Sequence, residues 1–223
     1  STGTERMKPQ KLLVFGGHPD DPESSCGGLI ANAVAAGHTA HCLYGTNHRV
    51  GYTYFGRPEK EVRSAEAIAA CKILGATWEF LDYPEHLEVN PETRRRVADV
   101  IAAYAPDIVV AHWPVDTHPD HRSVGILAFE AYLLHRSYAF YFFEVMTGRQ
   151  SIRFTPSHYV DISAVAETKR AAVMCHLSQT PDEIWADHEI MHRFRGRECD
   201  VERAEAYLRV DREPGGLLPG MVF

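Results

Sequence analysis

Two short stretches carry the residues able to do chemistry. Residues 14–28 read VFGGHPDDPESSCGG and place His18, Asp20 and Asp21 directly after a compact apolar run. Residues 116–121 read DTHPDH and bring Asp116, His118, Asp120 and His121 after a second such run. Imidazoles and carboxylates without cysteine suit zinc in a catalytic site, where three protein ligands leave one place for water. Two histidines and one aspartate suffice for that, and spacing alone does not say which aspartate binds. A surplus carboxylate can accept the proton of an attacking water, and a spare imidazole can stabilise an oxyanion or protonate a leaving nitrogen.

The elements that must position these residues alternate in type. Residues 11–17 read as a strand buried on both faces, 26–37 as a helix ended by Gly37, and 39–46 as a second strand. A long loop over 47–58 precedes a helix over 59–75, a strand over 77–83, a helix over 91–106 and a strand over 107–113. A helix over about 120–135 and strands over 140–145 and 157–163 follow, and the last third reads as helices with turns at Thr180 and near Gly196. Alternation of this kind predicts right-handed crossovers and an α/β fold, with a Rossmann-like, doubly wound, mostly parallel sheet flanked by helices and a helical C-terminal third. With the order 3-2-1-4-5, strands one and four are neighbours, and both acidic clusters face the crevice where the winding reverses. The charge is tolerable there because a cation and water, rather than apolar side chains, fill the strand ends. With no repeat or linker, residues 1–223 are expected to form a single domain; the polar STGTER at 1–6 is left out of the element reading.

The bulk composition narrows the partners. A hydrophobic content of 45% is ample for a core, and 23 Lys plus Arg against 30 Asp plus Glu leave a net charge of -7. That balance argues against nucleic acid or anionic lipid and for a small-molecule partner. The five cysteines are widely spaced with no C-x-x-C, so the reading is a reducing cytoplasm without disulfides or thiolate zinc. No stretch is long and apolar enough to span a bilayer. The 13 histidines raise the weight of metal and proton chemistry.

HPDD followed by CGG, with a later HPDH, resembles the PIG-L or LmbE-like family of zinc-dependent N-deacetylases, N-acetylglucosaminyl deacetylases among them. The likeness extends over VRSAEAIAACKILGA at 62–76, YVDISAVAETKRAAVMCHLSQ at 159–179 and ERAEAYLRV near the end. It implies that His18, Asp21 and His121 hold the metal, Zn2+ with Fe2+ as the alternative. Asp20 is implied as general base, His118 as oxyanion-stabilising or acid partner, Asp120 as the residue orienting His118, and Arg63 as a contact to substrate hydroxyls. The implied reaction removes acetyl from an N-acetylated sugar or glycoconjugate, without a redox cofactor. Homo-oligomer formation is left open. One departure stands out: the family places Glu directly after HPDD, whereas here Pro22 intervenes and the acid is Glu23.

Other classes compete. HEIMH at 188–192 satisfies the zinc-peptidase pattern through His188, Glu189 and His192, although Arg195 and Glu198 stand where the extended form needs Gly and a third His. A non-catalytic metal- or sugar-binding module is the other alternative, disfavoured because Asp20 and His118 exceed what holding an ion needs. His112 and Asp116 read as strand-end and loop structure and stay outside the ligand set. Tyr52 and Tyr54, on the long loop, are candidates for stacking on a sugar ring.

Overall fold

The structure is a computed structural model that describes residues 8–210 and 221–222; residues 1–6, set aside above, lie outside them. In chain order the elements are β1 (Lys11–Gly16), α1 (Asp21–Ala35), β2 (Thr39–His48), β3 (Thr53–Tyr54), β4 (Arg57–Pro58), α2 (Glu59–Leu74), β5 (Thr77–Pro84) and α3 (Pro91–Tyr104). They continue with β6 (Ile108–His112), α4 (Pro119–His135), β7 (Ala139–Phe143), β8 (His158–Asp161), α5 (Ala166–Val173), α6 (Pro181–Glu198), β9 (Ala204–Arg209) and β10 (Met221–Val222). Eight strands form one sheet in the order β10-β8-β9-β7-β6-β1-β2-β5, and β3 and β4 make a separate hairpin. The run β5-β2-β1-β6-β7 is parallel, whereas β9, β8 and β10 join antiparallel.

Period-two alternation along buried strands feeds two cores. Leu12 and Val14 of β1, with Cys42 and Tyr44 of β2, pack beneath Leu29 and Ile30 of α1 and Ala67 of α2. Leu13 and Phe15, with Val109 and Ala111 of β6, face Val97 and Ile101 of α3 and Val124 and Leu127 of α4. The crossover helices therefore change face between β1 and β6, which opens a crevice beyond the carboxyl ends of those two strands.

The structure departs from the sequence expectation at the start of α1, around the end of α6, and in the stretch expected as a loop over 47–58, where β2 reaches His48 and β3 pairs with β4. α1 begins at Asp21 rather than near Cys26, because Pro22 fits a first helical turn, where its missing N–H costs nothing. α6 runs through Gly196 to Glu198; a Cβ at Gly196 would lie 2.6 Å from the Val201 carbonyl oxygen, so the glycine permits a close return of the chain rather than a turn. The stretch after it, expected as helix, contains β9, which is inserted between β7 and β8. Pairing on both sides overrides the helical preference of Ala, Glu and Leu there. Among the described residues, no helix is long and apolar enough to cross a membrane.

Candidate active site

Backbone approach at the end of β1 brings the first cluster onto the second. A Cβ at Gly16 would sit 2.6 Å from Pro22 Cδ, and one at Gly17 would sit 3.2 Å from both Asp21 Oδ2 and His121 Cδ2. Only glycine lets the strand end this close to the first turn of α1 and to α4. The turn between them holds Asp20 at φ 123 and ψ -31, a positive-φ conformation that an L side chain rarely adopts. Such strain persists where surrounding contacts over-determine it, and here it aims consecutive carboxylates in different directions.

The implied metal ligands meet in pairs at Asp21, while the two groups with full metal-ligand spacing each bring in a further histidine. Asp21 Oδ2 lies 3.2 Å from His18 Nδ1, and Asp21 Oδ1 lies 3.3 Å from His121 Nε2. His18, His118 and His121 offer ligand atoms within 4.8 Å of one another, and so do Asp21, His112 and His121. Donors of this type and spacing fit a divalent ion such as zinc or iron(II). The carboxylates of Asp20, Asp21, Asp116 and Asp120, gathered at the crevice, call for positive charge. Burial opposes a charged His121, yet the Asp21 and Asp116 carboxylates outweigh it and lift the imidazole to about 10. Asp21 sits well below the usual carboxylate range: burial alone would raise it, but His121 and His112 dominate.

Asp20 and His118 occupy the same cleft, lined also by Ser24, Arg63, Met146, Gln179 and Ile184. Burial pushes Asp20 up to about 6, against the pull of Arg63. Arg63 Nη2 donates to the Pro19 carbonyl at 2.8 Å and to Asp20 Oδ2 at 3.3 Å, so its first duty is to hold the acidic loop. Burial, with His18 and His121 nearby, lowers His118 to about 4. His118 caps α4, and its Nδ1 accepts the Asp120 backbone N–H at 3.2 Å; the neutral ring therefore carries its proton on Nε2. The Asp120 carboxylate, expected to orient His118, stands 3.7 Å from it and only 2.8 Å from His18 Nε2. Its other oxygen accepts the Leu87 N–H at 2.9 Å, so the carboxylate secures His18, and His118 is oriented by the Asp120 backbone.

A second lobe opens on the far side of His18, His118, Arg63 and Gln179, lined by His48, Arg49, Tyr54, Glu59, Glu85 and His86. Tyr54 thus reaches the cleft wall, while Tyr52 stacks under Arg49 at 3.9 Å. Glu23 is fully buried, accepts the Tyr44 hydroxyl at 2.6 Å and stands 3.6 Å from His176 Nε2; it belongs to the packing beneath the acidic loop.

Sequence reasoning left out two contributors. His112 is fully buried at the end of β6, accepts the Gly17 N–H at 3.0 Å and stacks on His121 at 4.0 Å. Asp116 Oδ1 lies 3.1 Å from His121 Nδ1, which fixes the ring so that Nε2 faces Asp21. Carboxylates behind a ligating imidazole raise its basicity, and removing one typically costs about 10–100-fold in metal affinity. Asp116→Asn is therefore expected to weaken metal binding by about that factor, measured by competition with a chelator; unchanged affinity would remove Asp116 from the site.

HEIMH is no rival centre. His188 and His192 are buried on α6, and Lys169 Nζ lies 2.7 Å from His192 Nε2, so an ammonium stands where an ion would bind. Glu189 is committed to Arg193 and Arg203, and among the described residues these histidines join no group with metal spacing. Burial, then Lys169, lowers His192 to about 4 and puts His188 well below its usual value; Glu189 and Glu205 only partly offset this at His192. A histidine depressed in the fold contributes stability that is complete above the unfolded value near 6.5 and is lost as pH falls through about 4. His192 alone is worth about 3 kcal/mol on that scale. Melting curves between pH 7.5 and 4.5 are expected to show a steep loss that flattens in His192→Gln; identical slopes would contradict this origin.

Fold and site together define an α/β protein that gathers a carboxylate–imidazole centre with metal-ligand spacing at its topological switch point. The family model described as PIG-L, GlcNAc-PI de-N-acetylase, matches residues 13–132, and the chain belongs to that family. It is 32% identical over 198 residues to diacetylchitobiose deacetylase of Thermococcus kodakarensis, covering 79% of this chain and 72% of the relative. It is 28% identical over 199 residues to 4-oxalmesaconate hydratase of Pseudomonas putida, covering 79% of this chain and 76% of that one. Among solved structures, the conserved protein TT1542 of Thermus thermophilus superposes with a TM-score of 0.77 at 29% identity, covering 94% of this chain and 98% of its own.

Proposed function

We propose that this protein is a metal-dependent hydrolase that removes acetyl from an N-acetylated amino-sugar or glycoconjugate, with His18, Asp21 and His121 holding zinc. The observation that carries the reading is the presence of Asp20, beside His118, in the same cleft as that ligand set, since Asp20 joins neither group with metal-ligand spacing and is not needed to bind an ion. When bound, the ion supplies the acidity that lets water attack at neutral pH and polarises the amide carbonyl. Asp20 takes the proton of the attacking water on its carboxylate and returns it to the departing amine nitrogen. The Nε2–H of His118 donates to the oxygen on which negative charge develops, worth about 10²–10³ in kcat for one such donor. Arg63 keeps Asp20 in place and presents its remaining N–H groups to substrate hydroxyls. Five free thiols, three of them buried, fit a reducing, cytoplasmic setting.

The hydratase relative supports a second reading, in which Asp20 would take the proton of a water adding to an activated carbon–carbon double bond and the same residues would hold the ion. Acetate release from a panel of N-acetylated sugars, with chelated and zinc-restored protein, separates the two. Zinc-dependent acetate release is the expected result. Loss of the absorbance of an unsaturated oxo-acid without acetate release from any sugar would assign the hydratase instead.

A further inference from the structure

We propose that a buried Lys169–Glu205 pair is a positioning device for the first turn of α1, where Asp20 and Asp21 stand. The turnover arm of its test rests on the deacetylase reading; the metal arm does not. Two features that the cleft leaves unused, the glycines of CGG and the second histidine of HEIMH, meet at this pair of the α5 lysine and the β9 glutamate. Glu205 Oε1 accepts the Gly28 N–H at 2.7 Å, and Oε2 accepts the Leu29 N–H at 2.8 Å. The Tyr207 hydroxyl donates to Oε2 at 2.7 Å. Lys169 Nζ, fully buried, donates to Oε1 at 2.7 Å and lies 2.7 Å from His192 Nε2.

The approach is tight enough to dictate the glycines. A Cβ at Gly27 would lie 2.8 Å from Lys169 Cγ, and one at Gly28 would lie 2.9 Å from Glu205 Oε1 and 2.3 Å from Ile162 Cγ2. Amides in mid-helix ordinarily point at carbonyls one turn back. Here one carboxylate from the sheet grips two consecutive amides, which fixes α1 both along and about its axis through charge-assisted bonds. Gly28 lies about two helical turns from Asp21, a rigid lever of about 10 Å. Misplacement of a reacting group by about 1 Å can cost about 10²-fold in rate, so the setting of this helix bears directly on the site.

The test uses the full chain. Lys169→Met combined with Glu205→Gln removes the ion pair without leaving an unpaired buried charge, and the carboxamide's single acceptor oxygen strands one α1 amide. The folded double variant is expected to lose about 10–100-fold in kcat with KM within about twofold, and about tenfold or more in zinc affinity by chelator competition. Wild-type kcat and zinc affinity in the folded variant, whatever its melting temperature, overturn the proposal, because a purely structural pair shifts melting alone. If the wild type releases no acetate from any sugar, the deacetylase reading fails, and the comparison of zinc affinities still decides the positioning role. If the double variant does not fold, Gly27→Ala presses on Lys169 without removing a charge. It is expected to change kcat and zinc affinity in the same direction, and unchanged values overturn the proposal.

Discussion

Asp20→Asn is expected to retain its metal and to lose about 10²–10⁴-fold in kcat, the usual contribution of a positioned general base. The amide keeps the shape of the side chain, so the fold should be kept. It has no carboxylate to receive a proton, and that is the function removed. Arg63 retains its bond to the Pro19 carbonyl at 2.8 Å, which argues that KM changes little. Metal analysis and steady-state acetate release on the same preparation check the split. Full turnover in this variant would assign proton transfer to another group, and loss of metal would make Asp20 a ligand.

His121→Ala carries the opposite signature. His121 is the residue shared by both sets of converging donors, so its removal breaks either ligand arrangement. The loss in affinity should exceed the roughly 10–100-fold that removal of an outer partner costs, and activity should fall to that of the chelated wild type. The variant also leaves Asp21 and Asp116 facing each other without the imidazole between them. Breaking a buried pair in this way costs about 3–5 kcal/mol, so metal content is measured on protein shown to be folded. Stoichiometric metal in folded His121→Ala would remove this histidine from the ligand set.

Much of the fold could be read from the chain because compact, continuous apolar runs alternate with helical segments closed by glycine at Gly37 and Gly75. That alternation, with the switch-point rule, led to the observed parallel order and to both acidic loops facing one crevice. β9 was hidden because AEAYLR has helical preferences that only its two neighbouring strands overrule. The cleft was legible where chemistry is concentrated in consecutive residues, as in HPDD and DTHPDH. His112 was not: its ring closes an apolar strand, and nothing local announces that it stacks on His121. Asp116 carried a faint signal, a carboxylate five residues before His121 in the loop leading into α4. Lys169 and Glu205 sit in segments that read as helix, and their meeting against α1 depends on the sheet returning the chain through β9. The split role of Asp120, carboxylate to His18 and backbone to His118, depends on how α4 enters its first turn, which no spacing rule describes.

One ion held jointly by the two loops beyond β1 and β6 is the claim on which the proposed chemistry depends. The most direct measurement is an anomalous-difference map from crystals of zinc-loaded protein, collected on both sides of the zinc absorption edge. A single strong peak bonded to His18, Asp21 and His121, with Asp20 beside it, is the predicted result. A peak bonded elsewhere, or none at this crevice in protein that binds zinc stoichiometrically in solution, would contradict it.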